Sequence, residues 1–168
     1  MTHPLVTQLR FSRHEFLRGL DGLTEEDAAV HIGPMNCISW NVGHLAWHEQ
    51  RYWLTRAQDV VLFPDLDTRF AYRAPMCTPS LAETLMMWHE VTAATEEFLD
   101  NLKIEVLLSE LLNKGKPVGQ SYGSGMQRII YHYWYHIGET QAIRQMLGNK
   151  NLAEYVGDIE KEAPFQVG

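Results

Sequence analysis

Residues 131–140 read YHYWYHIGET, and this stretch decides how the chain is read. It lies in a Pro-free amphipathic run from Met126 to Leu147, the pattern of a long helix. His132 and His136 are one helical turn apart, so both imidazoles leave the same face. Two neutral imidazoles so placed can grip one transition-metal ion, and a protein site needs at least one further ligand. Residues 41–50, NVGHLAWHEQ, repeat the spacing with His44 and His48, again within an expected helix. Four of the chain's eight histidines fall in these two pairs. The pattern predicts a helical bundle that brings the two segments together around a metal.

Working outward, Leu5, Leu9, Phe16, Leu17 and Leu20 mark a first amphipathic helix from about Pro4 to Leu20. Thr24 followed by Glu25, Glu26 and Asp27 predicts an N-capped short helix to about His31, broken by Gly33-Pro34. The second long helix is expected over Ser39 to Ala57, capped by Asn36 or Ser39, with Gly43 a weak point. From Asp59 to Pro79 the periodicity is lost, and a connection of that length often borders a site or a partner. Ser80 with Glu83 forms a capping box for a third helix to about Asn101. A shorter piece follows at Ile104 to Leu112, and the Gly-rich residues 113–125 read as a loop. Gly148-Asn149 caps the fourth helix, and residues 151–168 are expected to wrap the surface as a tail. The whole reads as one all-α domain over residues 1–168, a four-helix bundle with one long crossover connection and no strand.

A length of 168 residues suits a single domain with a full core, and 45% hydrophobic with 21% charged residues argues against disorder. The net charge of −7, without a Lys/Arg cluster, argues against nucleic acid as a partner. No basic segment leads into an apolar run at Met1 to Arg10, so no signal peptide is expected, and no window predicts a membrane span. Cys37 and Cys77 form no CxxC pattern, and a cytoplasmic location is the default.

The plainer alternative for each histidine is a ring satisfied by two hydrogen bonds. His3, His14, His31 and His89 stand singly and are read that way, and Cys37 as a small buried apolar residue. Glu49 and Glu139, each close to a histidine pair, are candidates to support a ligand or act as a general base, against the plainer reading of solvated helix acids. Tyr131, Tyr133, Trp134 and Tyr135 crowd one histidine helix, and Trp47, Tyr52 and Trp53 the other. They can line an apolar pocket or pack in the core, and those pointing away from the histidines suggest a homodimer surface.

The segments ISWNVGHLAWHEQRYWL (residues 38–54) and YHYWYHIGETQAIRQML (residues 131–147) resemble the DinB-like family, also called YfiT-like metalloenzymes. The resemblance covers most of the chain and extends into LAEYVGDIE (residues 152–160). It implies a four-helix bundle binding a divalent metal, zinc or nickel, through His44, His132 and His136, with one coordination position open. His48 is not a usual ligand position in such proteins, which leaves it to support a ligand or face outward. The family often carries Arg-Gly-Gln after the second histidine of HxxxH, whereas this chain has Ile137-Gly138-Glu139. Relatives include S-transferases that use a low-molecular-weight thiol, and a mycothiol-dependent maleylpyruvate isomerase. The resemblance therefore implies thiol S-transferase chemistry on a small-molecule electrophile. The alternatives are a metal-binding stress-related protein without turnover and a structural dimeric bundle.

Overall fold

The computed structural model describes residues 2–166, so the last two residues of the expected tail lie outside the described residues. Four long helices dominate: α1 (Pro4–Arg18), α3 (Ile38–Glu49), α5 (Leu81–Asp100) and α7 (Tyr122–Met146). Between them lie the single turns α2 (Glu25–Ala28) and α4 (Leu66–Arg69), then α6 (Ile104–Leu108), with α8 (Ile159–Glu162) in the tail. The expected second helix is continuous but not uniform, since α3 passes into a π-helical segment over Gln50–Arg56. The wider turns carry Gln50, whose amide oxygen accepts the backbone N–H groups of Leu62 and Phe63 at 3.0 and 2.9 Å. Its amide nitrogen donates to the Phe63 carbonyl. One side chain thus anchors the start of the connection that follows.

Contacts at the helix ends fix the topology. Cys37 heads α3 and lies against the Cys77 carbonyl ahead of α5, while Trp53 at the far end meets Phe98 near the end of α5. The two helices therefore run parallel, and joining them needs a return crossover along the bundle. Asn41 reaches Glu139 and Tyr52 reaches Gln120, each at 3.0 Å, so α7 is antiparallel to α3. Phe11 packs on Trp134, and Arg144 donates to the Gly19 carbonyl, so α1 runs with α7. The bundle is all-α in architecture with one crossover, as its periodicity predicts.

Three local expectations need correction. The N-cap of α3 is Cys37, which makes no side-chain cap bond, rather than Asn36 or Ser39. The stretch read as a loop contains a small antiparallel hairpin, β1 (Glu110–Asn113) with β2 (Lys116–Ser121), turning at Lys114-Gly115. Both turn residues have positive φ, 50° and 74°, the geometry of a tight two-residue hairpin. The hairpin also takes the end of the expected Ile104–Leu112 piece, and α7 starts at Tyr122, four residues earlier than its apolar pattern suggests. Gly125 permits this, because a Cβ there would sit 2.9 Å from Leu111 and 3.0 Å from Tyr52. The tail crosses α1: Gly157 N–H donates to Glu15, Arg18 donates to the Glu154 carbonyl, and Gln8 donates to the Ala163 carbonyl.

The interior contains a charged knot among the apolar side chains. Arg13 on α1 makes a bidentate pair with Glu49 on α3, both bonds 2.8 Å, with the two residues 5% and 0% exposed. Arg13 also donates to Thr95 and Glu96 on α5. Tyr133 on α7 donates to Glu49 at 2.9 Å and accepts from Trp88 of α5 at 2.8 Å. Burial alone would lower the Arg13 pKa, but the Glu49 carboxylate holds it above the ordinary arginine value. Glu49 is therefore neither a solvated helix acid nor bonded to a histidine. Its two oxygens are taken by Arg13 and Tyr133.

Removing one partner of a buried ion pair strands the other charge in a poor solvent. Glu49→Ala is expected to lower unfolding free energy by ~3–5 kcal/mol, measured by urea denaturation. The Arg13→Met/Glu49→Leu double variant recovers most of that loss. Equal losses in the single and double variants would show that the knot is not a charge-compensated unit.

Candidate metal centre

Each histidine of the centre is aimed by a partner on its other ring nitrogen. His44 Nδ1 lies 2.6 Å from the Phe70 carbonyl, which can only accept, so Nδ1 carries the proton and Nε2 is left with a lone pair. His136 Nδ1 is likewise 2.8 Å from Glu139 Oε2. Glu139 is itself held by Asn41, whose amide nitrogen donates to the same oxygen. His132 Nδ1 faces His48 Nδ1 at 2.9 Å, so one ring donates to the other. When His132 uses Nε2 as a lone pair, its Nδ1 is the donor and His48 the acceptor. His48 and Glu139 are thus the partners of the His132 and His136 Nδ1 atoms.

The other ends converge. His44 Nε2 is 3.3 Å and His136 Nε2 3.1 Å from His132 Nε2. One ligand atom from each of the three residues lies within 4.8 Å of the other two, a span that one cation bridges. With Nδ1 of His44 and His136 committed as donors, their two lone pairs point at a single spot beside His132. Such a convergence is satisfied by a shared proton or by a cation, and an all-nitrogen donor set suits a divalent transition metal. The residues present fit the ion that the histidine spacing predicts.

Burial keeps these rings neutral. His44 is pushed down to about 4 and His132 to about 3, in each case first by desolvation and then by the charge on a neighbouring histidine, His136. His48 falls well below the ordinary histidine value for the same first reason, reinforced by His132. At neutral pH His44 and His132 are therefore neutral and present lone pairs, the form a metal needs.

The crossover contributes more than its sequence suggests. Trp40 donates to the Arg69 carbonyl and Trp47 to Asp67, which straps α4 onto α3. Phe70 then presses on Gly43, where a Cβ would stand 2.5 Å from the ring. Gly43, a blemish as a helix former, is what allows the Phe70 carbonyl to reach His44. Phe70 carries no sequence signal for this role, because a backbone carbonyl is common to every residue type.

Two open depressions flank His132, about 470 and 450 Å³ in volume. The first is bordered by Trp47, His48, Arg51, Arg128 and Tyr131, the second by Trp40, Asn41, Tyr135 and Glu139, and Tyr72 of the crossover borders both. Tyr131 and Tyr135 are exposed, but they stand at the rims of these depressions rather than pointing away from the histidines. Tyr133 is core and Trp134 packs on Phe11 and Tyr155. The expectation of an aromatic surface on the far side of this helix is therefore corrected.

The remaining histidines do local jobs. His3 accepts from the Leu5 N–H at the head of α1, His14 meets Glu162, and His31 bridges the Met35 carbonyl and Thr78. Cys37 is fully buried. No helix among the described residues is long and apolar enough to cross a membrane.

A family model described as the DinB superfamily matches residues 8–140, a span that contains all of the clustered histidines. Comparison with curated proteins gives no match.

Two outcomes follow from this geometry. Gly43→Ala should displace Phe70 and weaken metal binding by about 10–100-fold, measured by competition with a chromophoric chelator. An unchanged affinity would mean that the Phe70 carbonyl does not orient His44. In the metal-free protein, His44 and His132 titrate below the ordinary value near 6.5, so the unfolded chain takes up protons first as pH falls. Their contribution to stability is intact above about pH 6.5 and is lost as pH drops toward 4. Urea midpoints that coincide at pH 7 and pH 5 would contradict buried neutral rings.

Proposed function

The chain belongs to the DinB superfamily, and from that membership and the histidine geometry we propose that it is a divalent-metal-dependent enzyme. The reading is that His44, His132 and His136 would hold zinc or nickel beside the depressions that flank His132. The reaction is transfer of a low-molecular-weight thiol to a small electrophile. The observation that carries this is the convergence of three oriented Nε2 atoms beside solvent-reachable space. Three nitrogen ligands with a free position are the layout of catalytic rather than structural sites.

When bound, the ion supplies Lewis acidity that lowers the pKa of a thiol at the free position. Conjugation would form a bond from the thiol sulfur to the electrophilic carbon, with the leaving group departing with the bonding electron pair and the thiol proton passing to solvent. The chain's own residues orient and exclude. Phe70, Glu139 and His48 hold the three rings by their Nδ1 atoms. Trp40, stacked on His44 with ring centroids 4.8 Å apart, and Trp47 on its other side keep water from that ring. Tyr72, Tyr131 and Tyr135 offer hydroxyls at the rim, and with the tryptophans they suit a substrate that is part apolar and part polar. Association as a homodimer and a cytoplasmic location belong to the same proposal.

Untagged protein should contain close to one zinc or nickel per chain by elemental analysis, and His132→Ala should lose it. The metal-loaded protein should conjugate a thiol among bacillithiol, mycothiol, glutathione and coenzyme A to a generic aryl halide. His132→Ala retaining its metal defeats the site assignment. Full metal occupancy with no thiol consumed above the metal-free rate leaves a metal-binding protein without turnover.

A further inference from the structure

We propose that the depression beside His48 and His132 contains an oxyanion subsite, formed by Arg51 and Arg128, that takes the carboxylate or phosphate of the molecule acted on at the metal centre. That the anion belongs to the reacting molecule rests on the function proposed above. The subsite itself stands on the charges around the depression.

The chain carries a net charge of −7, yet this depression is bordered by two guanidiniums and no carboxylate. Among the described residues, the arginine ion pairs are those of Arg10, Arg13, Arg18 and Arg69. Neither Arg51 nor Arg128 has a carboxylate within 4.0 Å or donates a side-chain hydrogen bond within those residues. Arg51 is instead held half-buried over the Trp47 ring, its Cζ 5.1 Å from the centroid. Arg56 lies in the same way over Tyr52 at 4.9 Å. Burial, then repulsion from Arg56 and more weakly from Arg128, makes the Arg51 cation harder to maintain than an ordinary guanidinium. The acid that acts on Arg51, Asp67, already accepts from the Trp47 indole at 2.6 Å.

Like charges gathered in a concave, partly apolar site focus a positive potential there, which an incoming anion relieves. Arginine suits this task because its planar fork matches an oxyanion with two parallel bonds. The cation–π contact with Trp47 also restrains the Arg51 guanidinium before the ligand arrives, so less side-chain freedom is lost on binding. The subsite and the histidine cluster share His48 and His132 as walls, so one small molecule can span both.

The test is calorimetric titration of the full chain, metal-free and zinc-loaded, with succinate and with inorganic phosphate. The metal-free protein should bind at least one of them, more weakly as salt is raised. Tighter succinate points to a carboxylate ligand and tighter phosphate to a phosphate ester. Arg51→Met/Arg128→Met should weaken binding by about tenfold or more, as expected for losing charge-assisted hydrogen bonds. Arg51→Lys, which keeps the charge but loses the planar fork, should weaken binding by less than the double variant does. Thermal melts and zinc content of the double variant should match the parent, separating loss of the subsite from loss of the fold or the metal. Failure of both anions to bind, or equal binding by the parent and a folded double variant, overturns the proposal. Arginine-dependent binding in a protein that holds no zinc sustains the subsite while the proposed metal enzyme fails.

Discussion

The bond between Glu49 and Tyr133 holds the histidine cluster in register. These residues follow His48 and His132 directly in sequence, so two helices touch through consecutive pairs. Glu49 meets Tyr133 in the interior at 2.9 Å, and His48 meets His132 on the pocket side at 2.9 Å. Successive helical residues point about 100° apart, so fixing the inner pair also fixes where the outer pair faces. Arg13 and Trp88 extend the lock to the other two long helices. A purely apolar core tolerates sliding and repacking, which a bidentate ion pair and two directional hydrogen bonds do not. The buried charges make sense as a specification of register, since a buried pair is weak as a source of net stability.

The crossover completes the same design from outside. Because α3 and α5 are parallel neighbours, the chain must travel back along the bundle between them. Most of such a connection could lie anywhere on the surface, but here it is pinned at Gln50, Trp47 and Trp40 in turn. The Arg69 guanidinium, paired with Glu83 and Asp65, clips its last turn to the head of α5. Glu83 is thereby held below the usual carboxylate range, first by that hydrogen bond. What arrives at the histidines is a carbonyl at a fixed distance, delivered by a segment with no helical periodicity of its own.

Periodicity made the bundle legible, and the i, i+4 spacing made the histidine pairs legible, because both depend on side-chain positions along one helix. Three features did not register for the same reason. The Phe70 carbonyl leaves no trace in residue identity, and Gly43 registers only as a poor helix former. The hairpin sits in a short polar run whose Lys-Gly turn lacks the Asn-Gly or Asp-Gly form that flags such turns. The role of Glu49 is not legible either, because burial of an acid depends on a partner 36 residues away on another helix. Aromatic crowding around His132 was legible, but its division into core (Tyr133) and rim (Tyr131, Tyr135) required the helix to be oriented first.

The departure from the resembled family's Arg-Gly-Gln pattern bears on the charge of the site. Ile137 stands where that pattern has an arginine, and it is 4% exposed as part of the hydrophobic core. Glu139 stands where the pattern has a glutamine, and its carboxylate orients His136. A carboxylate draws the Nδ1 proton more strongly than an amide oxygen and makes the Nε2 lone pair more basic. It also places a carboxylate beside the clustered imidazoles. A carboxylate there reduces the positive potential offered to an anionic molecule, and Arg51 and Arg128 are the guanidiniums bordering the His48 side.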